Sequence, residues 1–340
     1  MTSTINDQIT EAFGADDWAR THRPALEASN LPPAVFHSPA VYEQELKNIF
    51  HSQWICLGQV ADFDDEGAEL VRFIDTEEVR LTRAHDGTIS ASQKVEVWNG
   101  FLFVNFDATA TPLSDDLSET YKWGAENYAL HDERSVHRFE WDCPANWKLL
   151  VENFVEEYHV AWVHADSFQP TMPMKRWESH PEMTTQPWSH MFGDFHETSM
   201  SVEGPALFPL IETLTERERG GMAIVTIYPN LMLILAVDCL IYYYVLPTGV
   251  DSCKVVAHLC VPSAVAQRVK DGEPELLRAV EEYVENTKLI LDEDMEASDR
   301  QSAGLRSRFA KAGRVCRHEL LLSSFHHWLL DTAYAPVLEK

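Results

Sequence analysis

The chain has 340 residues, of which 45% are apolar and 24% are charged, as is typical of a globular protein. It carries 27 Lys and Arg residues against 54 Asp and Glu residues, so its formal net charge at pH 7 is −27. This excess of negative charge argues against binding to nucleic acid or to an anionic membrane surface, because both are negatively charged themselves.

The sequence predicts a cytosolic protein with reduced cysteines. The N-terminal segment has no basic stretch followed by an apolar one, so we expect no signal peptide. The longest apolar stretch, residues 231–246, is interrupted by Asp238 and is shorter than a membrane span, which favours buried strands. The six cysteines include no C-x-x-C pair, and without an export signal we expect them to be reduced and mostly buried.

Segments with the periodicity of helices and of strands alternate along the chain. Residues 1–30 predict a helical or loose lead-in, and residues 108–119 predict a linker. The predicted helices are 41–54, 145–162 and 274–301. The predicted strands form two groups, 54–107 and 185–262, and the first group includes a hairpin at His85-Asp86-Gly87-Thr88. This order predicts an α+β fold with a strand-rich N-terminal part and a second sheet flanked by helices.

The first candidate site lies in and after the predicted helix at 145–162. Its apolar residues form one stripe: Trp147, Leu150, Val151, Phe154, Val155, Tyr158 and Trp162. Beside the stripe, Glu156 and His159 are three residues apart and therefore neighbours on one face. His164 follows five positions after His159, so on a straight helix the two imidazoles would point about 140° apart. They can share a ligand only if the helix ends or bends between them; the alternative is two ordinary histidines near a helix end.

The second candidate site lies on the predicted helix at 274–301. Its buried stripe is predicted to comprise Leu277, Val280, Val284, Thr287 and Leu291. The stripe continues to Asp294, and a carboxylate on a buried face is costly unless it is paired. An Arg or Lys from another element would pair it, and so would a metal ion. Two histidines and one carboxylate with open coordination positions are the arrangement used by non-haem Fe(II) oxygenases.

Two segments, NWKLLVENFVEEYHVAWVH and EDMEASDRQSAGLRS, together resemble the catalytic domain of the Rieske non-haem iron oxygenases, the ring-hydroxylating oxygenase α subunits. The matching positions are Asn146-Trp147-Lys148, Glu152-Asn153, Glu156, His159, His164, Glu293-Asp294, Gln301 and Gly304-Leu305. YPNLML and VYEQELKNIFHSQWICLGQV also resemble family segments, so the resemblance extends from residue 41 to about residue 330.

The resemblance implies a role for each matching residue. His159, His164 and Asp294 would bind a mononuclear Fe(II), and Asn153 would be a polar residue near it. Glu156 would be the acidic bridge between His159 and the Rieske cluster of a neighbouring subunit. Most members have Asp at this bridge, and Glu is similar to the subgroup that oxidises carnitine and related quaternary amines. Gln301 would support the metal ligands, or it would only make a hydrogen bond at the helix end.

The chain departs from the family where the Rieske cluster would be bound. The family carries C-x-H and then C-x-x-H, which hold a [2Fe–2S] cluster through two Cys and two His. Here the sequence follows the family as far as Thr88-Ile89-Ser90-Ala91 and resumes at Gln93-Lys94-Val95-Glu96-Val97-Trp98, without either motif. The single C-x-H, Cys316-Arg317-His318, lies near the opposite end and is interpreted as chance. We therefore expect no [2Fe–2S] cluster in this chain.

The fold implied by the resemblance is α+β, with a helix-grip (START/Bet v1-like) catalytic domain at residues 113–340. Residues 1–52 would pack on this domain, and residues 53–112 would be a small, truncated β remnant of the Rieske domain. The family's architecture also implies a homo- or hetero-trimer. Electrons would come from a Rieske-containing subunit or from a reductase that carries a Rieske domain.

The function implied is an oxygenase component that hydroxylates or demethylates a small organic substrate with O2. The substrate would be aromatic, or it would be a quaternary or N-methyl amine held by cation–π attraction. Six aromatic residues are candidates for lining its pocket, and for each of them the favoured alternative is a place in the core: Trp162, Trp188, Phe192, Tyr228, Phe325 and Trp328. Two alternatives remain open, a catalytically silent structural subunit of a mixed oligomer and a ligand-binding protein without redox chemistry.

Overall fold

The computed structural model describes residues 4–14, 16–63, 67–179, 186–194, 200 and 205–335. Its α-helices are α1 (Ile5–Phe13), α2 (Asp17–Thr21), α3 (Pro39–Glu45), α4 (Leu113–Asp116), α5 (Trp147–Phe154), α6 (Glu216–Arg219), α7 (Ser263–Lys270), α8 (Pro274–Leu305) and α9 (Leu320–Leu329). Its strands are β1 (Ile55–Gln59), β2 (Glu69–Ile74), β3 (Glu77–Arg83), β4 (Ile89–Ser90), β5 (Lys94–Trp98), β6 (Phe101–Asn105), β7 (Glu133–Cys143), β8 (Trp177–Ser179), β9 (Trp188–Asp194), β10 (Gly221–Ile227), β11 (Leu231–Leu235), β12 (Leu240–Gly249) and β13 (Ser252–Pro262). The predicted α+β class is confirmed.

A seven-stranded antiparallel sheet forms the centre of the molecule, in the order β7-β13-β12-β11-β10-β9-β8. Strands β10 to β12 are buried along almost their whole length because helices and smaller sheets cover them. The apolar stretch at 231–246 supplies β11 and most of β12, as predicted. Helices α5, α8 and α9 all contact this sheet, so side chains on α5 and α8 can meet above it.

Two small antiparallel sheets, β1-β6-β5 and β2-β3-β4, lie beside the large one. Gly87, with φ of 84°, lies in the hairpin between β3 and β4, which confirms the predicted turn. A second hairpin joins β5 to β6 through Asn99 and Gly100, which both have positive φ. The side chain of Asn230 ties the sheet β1-β6-β5 to the large one, since it bonds both the N–H and the carbonyl of Cys56 at 2.9 Å.

Sequence periodicity misplaced part of the helical structure. The predicted helix at 145–162 ends at Phe154, and beyond it the Glu157 N–H donates to the His318 carbonyl and the His159 N–H donates to the Glu156 side chain in place of helical hydrogen bonds. The predicted linker contains the short helix α4. On α8 the buried stripe begins with Leu276, Ala279 and Tyr283, whereas Leu277 is 40% exposed and was assigned to the wrong face. From Thr287 onwards the predicted stripe is correct and reaches Asp294.

None of the helices in the described ranges is both long and apolar enough to cross a lipid bilayer. All six cysteines are free; five are buried and Cys316 is half-buried. This burial agrees with the prediction from their sequence context.

A buried ion pair attaches the N-terminal segment to the start of α5. The Lys148 ammonium donates to the Glu45 carboxylate at 2.6 Å, and both side chains are fully buried. The indole N–H of Trp147 donates to the second Glu45 oxygen at 2.8 Å, and the Tyr334 hydroxyl also donates to Glu45. Asn146 caps α5 by accepting the Lys148 N–H at 3.1 Å. The Asn-Trp-Lys motif therefore fixes where α5 starts.

Lys148→Met tests this attachment. Removing the cation leaves the Glu45 charge buried without a cationic partner, so the free energy of unfolding should fall by about 3–5 kcal/mol. Urea unfolding followed by circular dichroism measures the change, and the double variant with Glu45→Gln should recover part of the loss. As a control, Lys288→Met removes an exposed ion pair with Asp292 and should cost less than about 0.5 kcal/mol. An equal effect of the two single variants would contradict the proposed importance of the buried pair.

Candidate metal centre

The end of α5 places three polar side chains near one point. Asn153 lies in its last turn, and the chain then leaves the helix at Val155. The Glu156 carboxylate accepts the backbone N–H of His159 at 3.0 Å, which starts the short helical turn His159–Ala161. This break between the helix and His159 is the condition under which His159 and His164 can face one ligand.

Helix α8 brings Asp294 to the same point from the opposite side. Its Oδ1 lies 3.0 Å from Nε2 of His164 and 3.8 Å from Nε2 of His159. One ligand atom from each of these three residues lies within 4.8 Å of the others, and within the described ranges this is the one group of three or more His, Cys, Asp and Glu residues so arranged. His164 and Asp294 are buried, and His159 is half-buried. The structure thus brings together the three residues that the sequence nominated.

Each histidine is oriented by a carboxylate on its other nitrogen. Nδ1 of His159 lies 2.7 Å from Oε1 of Glu156, and Nδ1 of His164 lies 2.7 Å from Oε2 of Glu293. Glu293 also accepts a hydrogen bond from the Ser167 hydroxyl at 2.5 Å. When each Nδ1–H donates to its carboxylate, each Nε2 keeps a lone pair directed towards Asp294. Glu293 was part of the matching motif, but its role was missed because only the fold places it beside His164.

Asn153 fixes the carboxylate between the histidines. Its side-chain N–H donates to Oδ1 of Asp294 at 2.8 Å. This contact places Asn153 next to the site, where the sequence predicted a polar residue.

The charges of the three groups depend on one another. Burial raises the pKa of Asp294, but the hydrogen bond from His164 and the positive charges of both histidines lower it below its ordinary value. Burial lowers the pKa of His159, whereas the charge and hydrogen bonds of Glu156 raise it to about 9. For His164, burial lowers the pKa and Asp294 outweighs this, so the net shift is upward. Without a metal ion, His159 is therefore mostly protonated at neutral pH, and the acidic partners also favour the protonated form of His164.

The donor set fits a mononuclear Fe(II). Two imidazole nitrogens and one carboxylate oxygen are the ligands of the 2-His-1-carboxylate centres, which leave coordination positions open. The carboxylates on both Nδ1 atoms are the usual companions of metal-binding histidines. Glu156 and Glu293 satisfy this requirement without occupying a ligand position themselves.

An inner cavity with about 500 Å³ of empty space adjoins the three candidate ligands. Its apolar wall combines aromatic residues, methionines and aliphatic residues: Phe154, Phe168, Trp177, Tyr243, Met191, Met200, Val160, Ile224, Ile234, Ile290 and Leu291. None of the six aromatics predicted to line the pocket belongs to the described lining of this cavity. Trp162 is 70% exposed, and Phe325 lies in the core between Trp147, Tyr228 and Trp328. These predictions were wrong because apolar residues far apart in the sequence form the wall.

Glu157 also lines the inner cavity and was not identified from the sequence. Its carboxylate lies 3.1 Å from Nδ1 of His318 and accepts the Ser179 hydroxyl at 3.2 Å. Burial raises the pKa of Glu157 to about 8. His318 belongs to the Cys316-Arg317-His318 sequence that was interpreted as chance, and its observed partner is this carboxylate.

An outer pocket, with about 640 Å³ of empty space, lies on the other side of the candidate centre. Asn153, Glu156 and His159 line both the inner cavity and the outer pocket. Gln301 lies on the exposed side of α8 and lines the outer pocket only. The side chains that reach the three ligand residues are those of Glu156, Glu293 and Asn153, so Gln301 does not take the supporting position considered for it.

Comparisons with known proteins give the following similarities. The family model described as "Ring hydroxylating alpha subunit (catalytic domain)" matches residues 130–333. The oxygenase subunit of a carnitine monooxygenase from Acinetobacter pittii is 33% identical over 129 residues, which cover 38% of this chain and 32% of that protein. The chain thus matches about a third of the length of this relative.

Two longer similarities have lower identity. The oxygenase subunit of a glycine betaine monooxygenase from Chromohalobacter salexigens is 22% identical over 417 aligned positions, which cover 97% of this chain and 91% of that protein. The crystal structure of a quaternary ammonium Rieske monooxygenase in complex with an inhibitor aligns with a TM-score of 0.73 at 17% identity. This alignment covers 94% of this chain and 98% of that chain, and it shows that the two chains have a similar fold.

The raised pKa of His159 predicts how metal binding depends on pH. Below its pKa of about 9, His159 is protonated in the metal-free protein, and a metal ion must displace that proton. The displacement of this one proton should therefore make the apparent affinity for Co²⁺ about tenfold higher at pH 8 than at pH 7. Equilibrium dialysis at the two pH values measures the change.

Glu156→Gln removes the charge that raises the pKa of His159, so the apparent affinity for Co²⁺ should depend less steeply on pH in this variant. Glu178→Gln removes an exposed carboxylate from nearby β8 and serves as the matched control, which should keep the wild-type slope. An unchanged slope in Glu156→Gln would contradict the assignment of Glu156 as the group that controls His159.

Proposed function

The chain belongs to the ring hydroxylating alpha subunit family, as its two sequence motifs predicted, and we propose that it is an iron-dependent oxygenase component supplied with electrons by a separate Rieske-bearing partner. It would use O2 to hydroxylate or demethylate a small organic substrate, either aromatic or a quaternary or N-methyl amine. One observation carries the proposal: His159, His164 and Asp294 converge, and each histidine is oriented by a carboxylate.

His159, His164 and Asp294 would hold a mononuclear Fe(II), which when bound supplies the activation of O2 for insertion into a C–H bond of the substrate. Glu156 and Glu293 would keep both Nε2 lone pairs directed at the metal. Asn153 would hold the Asp294 carboxylate in place through its hydrogen bond to Oδ1. The apolar wall of the inner cavity would exclude water from the substrate.

Glu156 would be the contact between the metal centre and the electron donor. It is bonded to His159, and it lines the outer pocket as well as the inner cavity. Tyr158 and Trp162, which are 44% and 70% exposed, lie on the same segment of chain. An electron that arrives at the outer pocket would therefore reach a metal ligand through one hydrogen-bonded side chain.

The electron donor is proposed to be a different polypeptide or subunit. The chain contains no C-x-H followed by C-x-x-H, so it lacks the sequence motifs that hold a [2Fe–2S] cluster. The alignment with the glycine betaine monooxygenase subunit extends over 417 positions, more than the 340 residues of this chain, so part of that protein has no counterpart in this sequence. The donor would be a Rieske-containing subunit in a hetero-trimer, or a reductase with a Rieske domain that acts on a homo- or hetero-trimer.

The fold supports a finer division of the chain. The seven-stranded sheet crossed by the 32-residue α8 would be the helix-grip domain, residues 113–340. Residues 1–52 would be part of the same unit because Glu45 pairs with Lys148. The two small sheets within residues 53–112 would be the remnant of the Rieske domain, in which β4 and β5 are joined by three residues.

Iron content tests the metal assignment. Wild-type protein reconstituted anaerobically with Fe(II) should hold about one iron per chain, and His159→Ala should hold almost none because one of three ligands is lost. Elemental analysis after desalting measures the ratio. His22→Ala is the matched control, since His22 is an exposed histidine paired with Asp331 and should keep the iron. A wild-type chain that binds no iron would instead support the silent structural subunit.

Glu156→Gln separates electron delivery from chemistry at the metal. With a reduced Rieske-bearing partner and O2, this variant should form product at least about tenfold more slowly than wild type, because the carboxylate contact to His159 is lost. With hydrogen peroxide as the oxidant, no partner is needed and the two proteins should differ much less. Product formation is measured at equal iron content, by mass spectrometry. Equal losses in both assays would contradict the role of Glu156 in electron delivery.

A further inference from the structure

Glu157 is the one carboxylate in the described wall of the inner cavity that belongs neither to the candidate ligands nor to their histidine partners. Its residue is 3% exposed. The Ser179 hydroxyl and the His318 imidazole hold its two oxygens at 3.2 Å and 3.1 Å. A carboxylate in this position is costly unless positive charge compensates it. Its ion-pair partner is His318, and because it also lines the cavity, a bound cation would pair with it as well.

The walls next to Glu157 are aromatic. Trp177 lies two residues before Ser179 on β8, so the two side chains point to the same face of the sheet. Phe168 stacks on Trp177 with 6.4 Å between ring centroids, and it also contacts the His164 ring. Phe154 and Tyr243 form a second pair, with 4.8 Å between their ring centroids, and they line the same cavity. Aromatic faces attract an ammonium group through cation–π interactions.

The described lining of the cavity has three acidic side chains, and its two basic ones, His159 and His164, would both be occupied by the metal ion. The described lining includes Glu156, Glu157 and Asp294 but neither Lys nor Arg. The segments 180–185, 195–199 and 201–204 also contain neither Lys nor Arg in the sequence. A ligand carboxylate would therefore find no cationic partner from these residues, whereas a ligand cation would find Glu157.

We propose that the inner cavity selects a small ammonium cation that carries no carboxylate, with Glu157 as its counter-charge and the aromatic pairs as its walls. That this cation is the substrate rests on the proposed oxygenase function. An aromatic hydrocarbon would offer Glu157 no charge with which to pair. A zwitterion would place its own carboxylate in a cavity that already holds three acidic residues.

The test compares three probes of similar size that differ in charge. Choline is a cation, 3,3-dimethyl-1-butanol is its neutral carbon isostere, and glycine betaine is a zwitterion. Isothermal titration calorimetry on the Fe(II)-loaded protein without oxygen measures each dissociation constant. Choline should bind at least about tenfold more tightly than either of the other two.

Glu157→Gln keeps the shape of the side chain and removes its charge. It should weaken choline binding at least about tenfold and leave binding of 3,3-dimethyl-1-butanol unchanged. Glu178→Gln is the matched control because it removes an exposed carboxylate from the same strand as Ser179. It should keep the wild-type preference. Equal affinity of the wild type for choline and its neutral isostere would overturn the proposal, as would an unchanged preference in Glu157→Gln.

A second variant covers the case in which Glu157→Gln does not fold. Trp177→Leu keeps an apolar side chain but removes the aromatic face, so it should weaken choline binding and spare the neutral isostere. If Trp177→Leu lowers the two affinities by the same factor, the cavity is not a cation site.

The same titrations distinguish this inference from the proposed function. They are repeated on metal-free protein, while iron content and product formation are measured separately. Selective choline binding that depends on Glu157, in a chain that neither binds iron nor forms product, would support the cation site and contradict the oxygenase. Iron binding and product formation without a preference for the cation would support the oxygenase and contradict the cation site.

Discussion

The buried charge of Asp294 is the constraint around which the candidate centre is built. A carboxylate in the interior must be compensated, and here two imidazoles and the Asn153 amide surround one of its oxygens. Glu156 and Glu293 then add a negative charge behind each imidazole. Three carboxylates around two histidines still leave an excess of negative charge, even with both imidazoles protonated. A divalent cation bound through neutral imidazoles would supply the same two positive charges as the two protons, but would place both of them at one point between His159, His164 and Asp294.

Both ends of α5 serve this arrangement. Its start is fixed by Asn146 and by the buried pair of Lys148 with Glu45, and its last turn carries Asn153 to Asp294. The helix is only eight residues long, so a displacement at its start would be transmitted to the site at its end. The N-terminal segment therefore contributes to the position of the ligands without contacting them.

Local spacing and a polar residue on an apolar stripe made His159, His164 and Asp294 candidates, and the resemblance to the family's motifs implied their role as metal ligands. The buried stripe of α8 from Thr287 to Asp294 was predicted correctly because it is also a local pattern. Sequence periodicity misplaced the end of α5 because the Glu156 contact to the His159 backbone, a capping interaction, competes with helical continuation. It missed the wall of the inner cavity and the partners of Glu157 because these contacts join distant segments, such as Ser179 and His318, whose proximity only the fold creates.

The junction of β4 and β5 is a surface connection between two separate sheets, and its middle residue, Ser92, is exposed. Few contacts depend on the length of such a connection, and the entropy of closing a longer loop grows only slowly with its length. Residues could therefore be gained or lost at this point in evolution with little effect on the packed core. For protein engineering, Ser92 offers an insertion point at which a foreign electron-transfer module could be grafted while the rest of the scaffold keeps its packing.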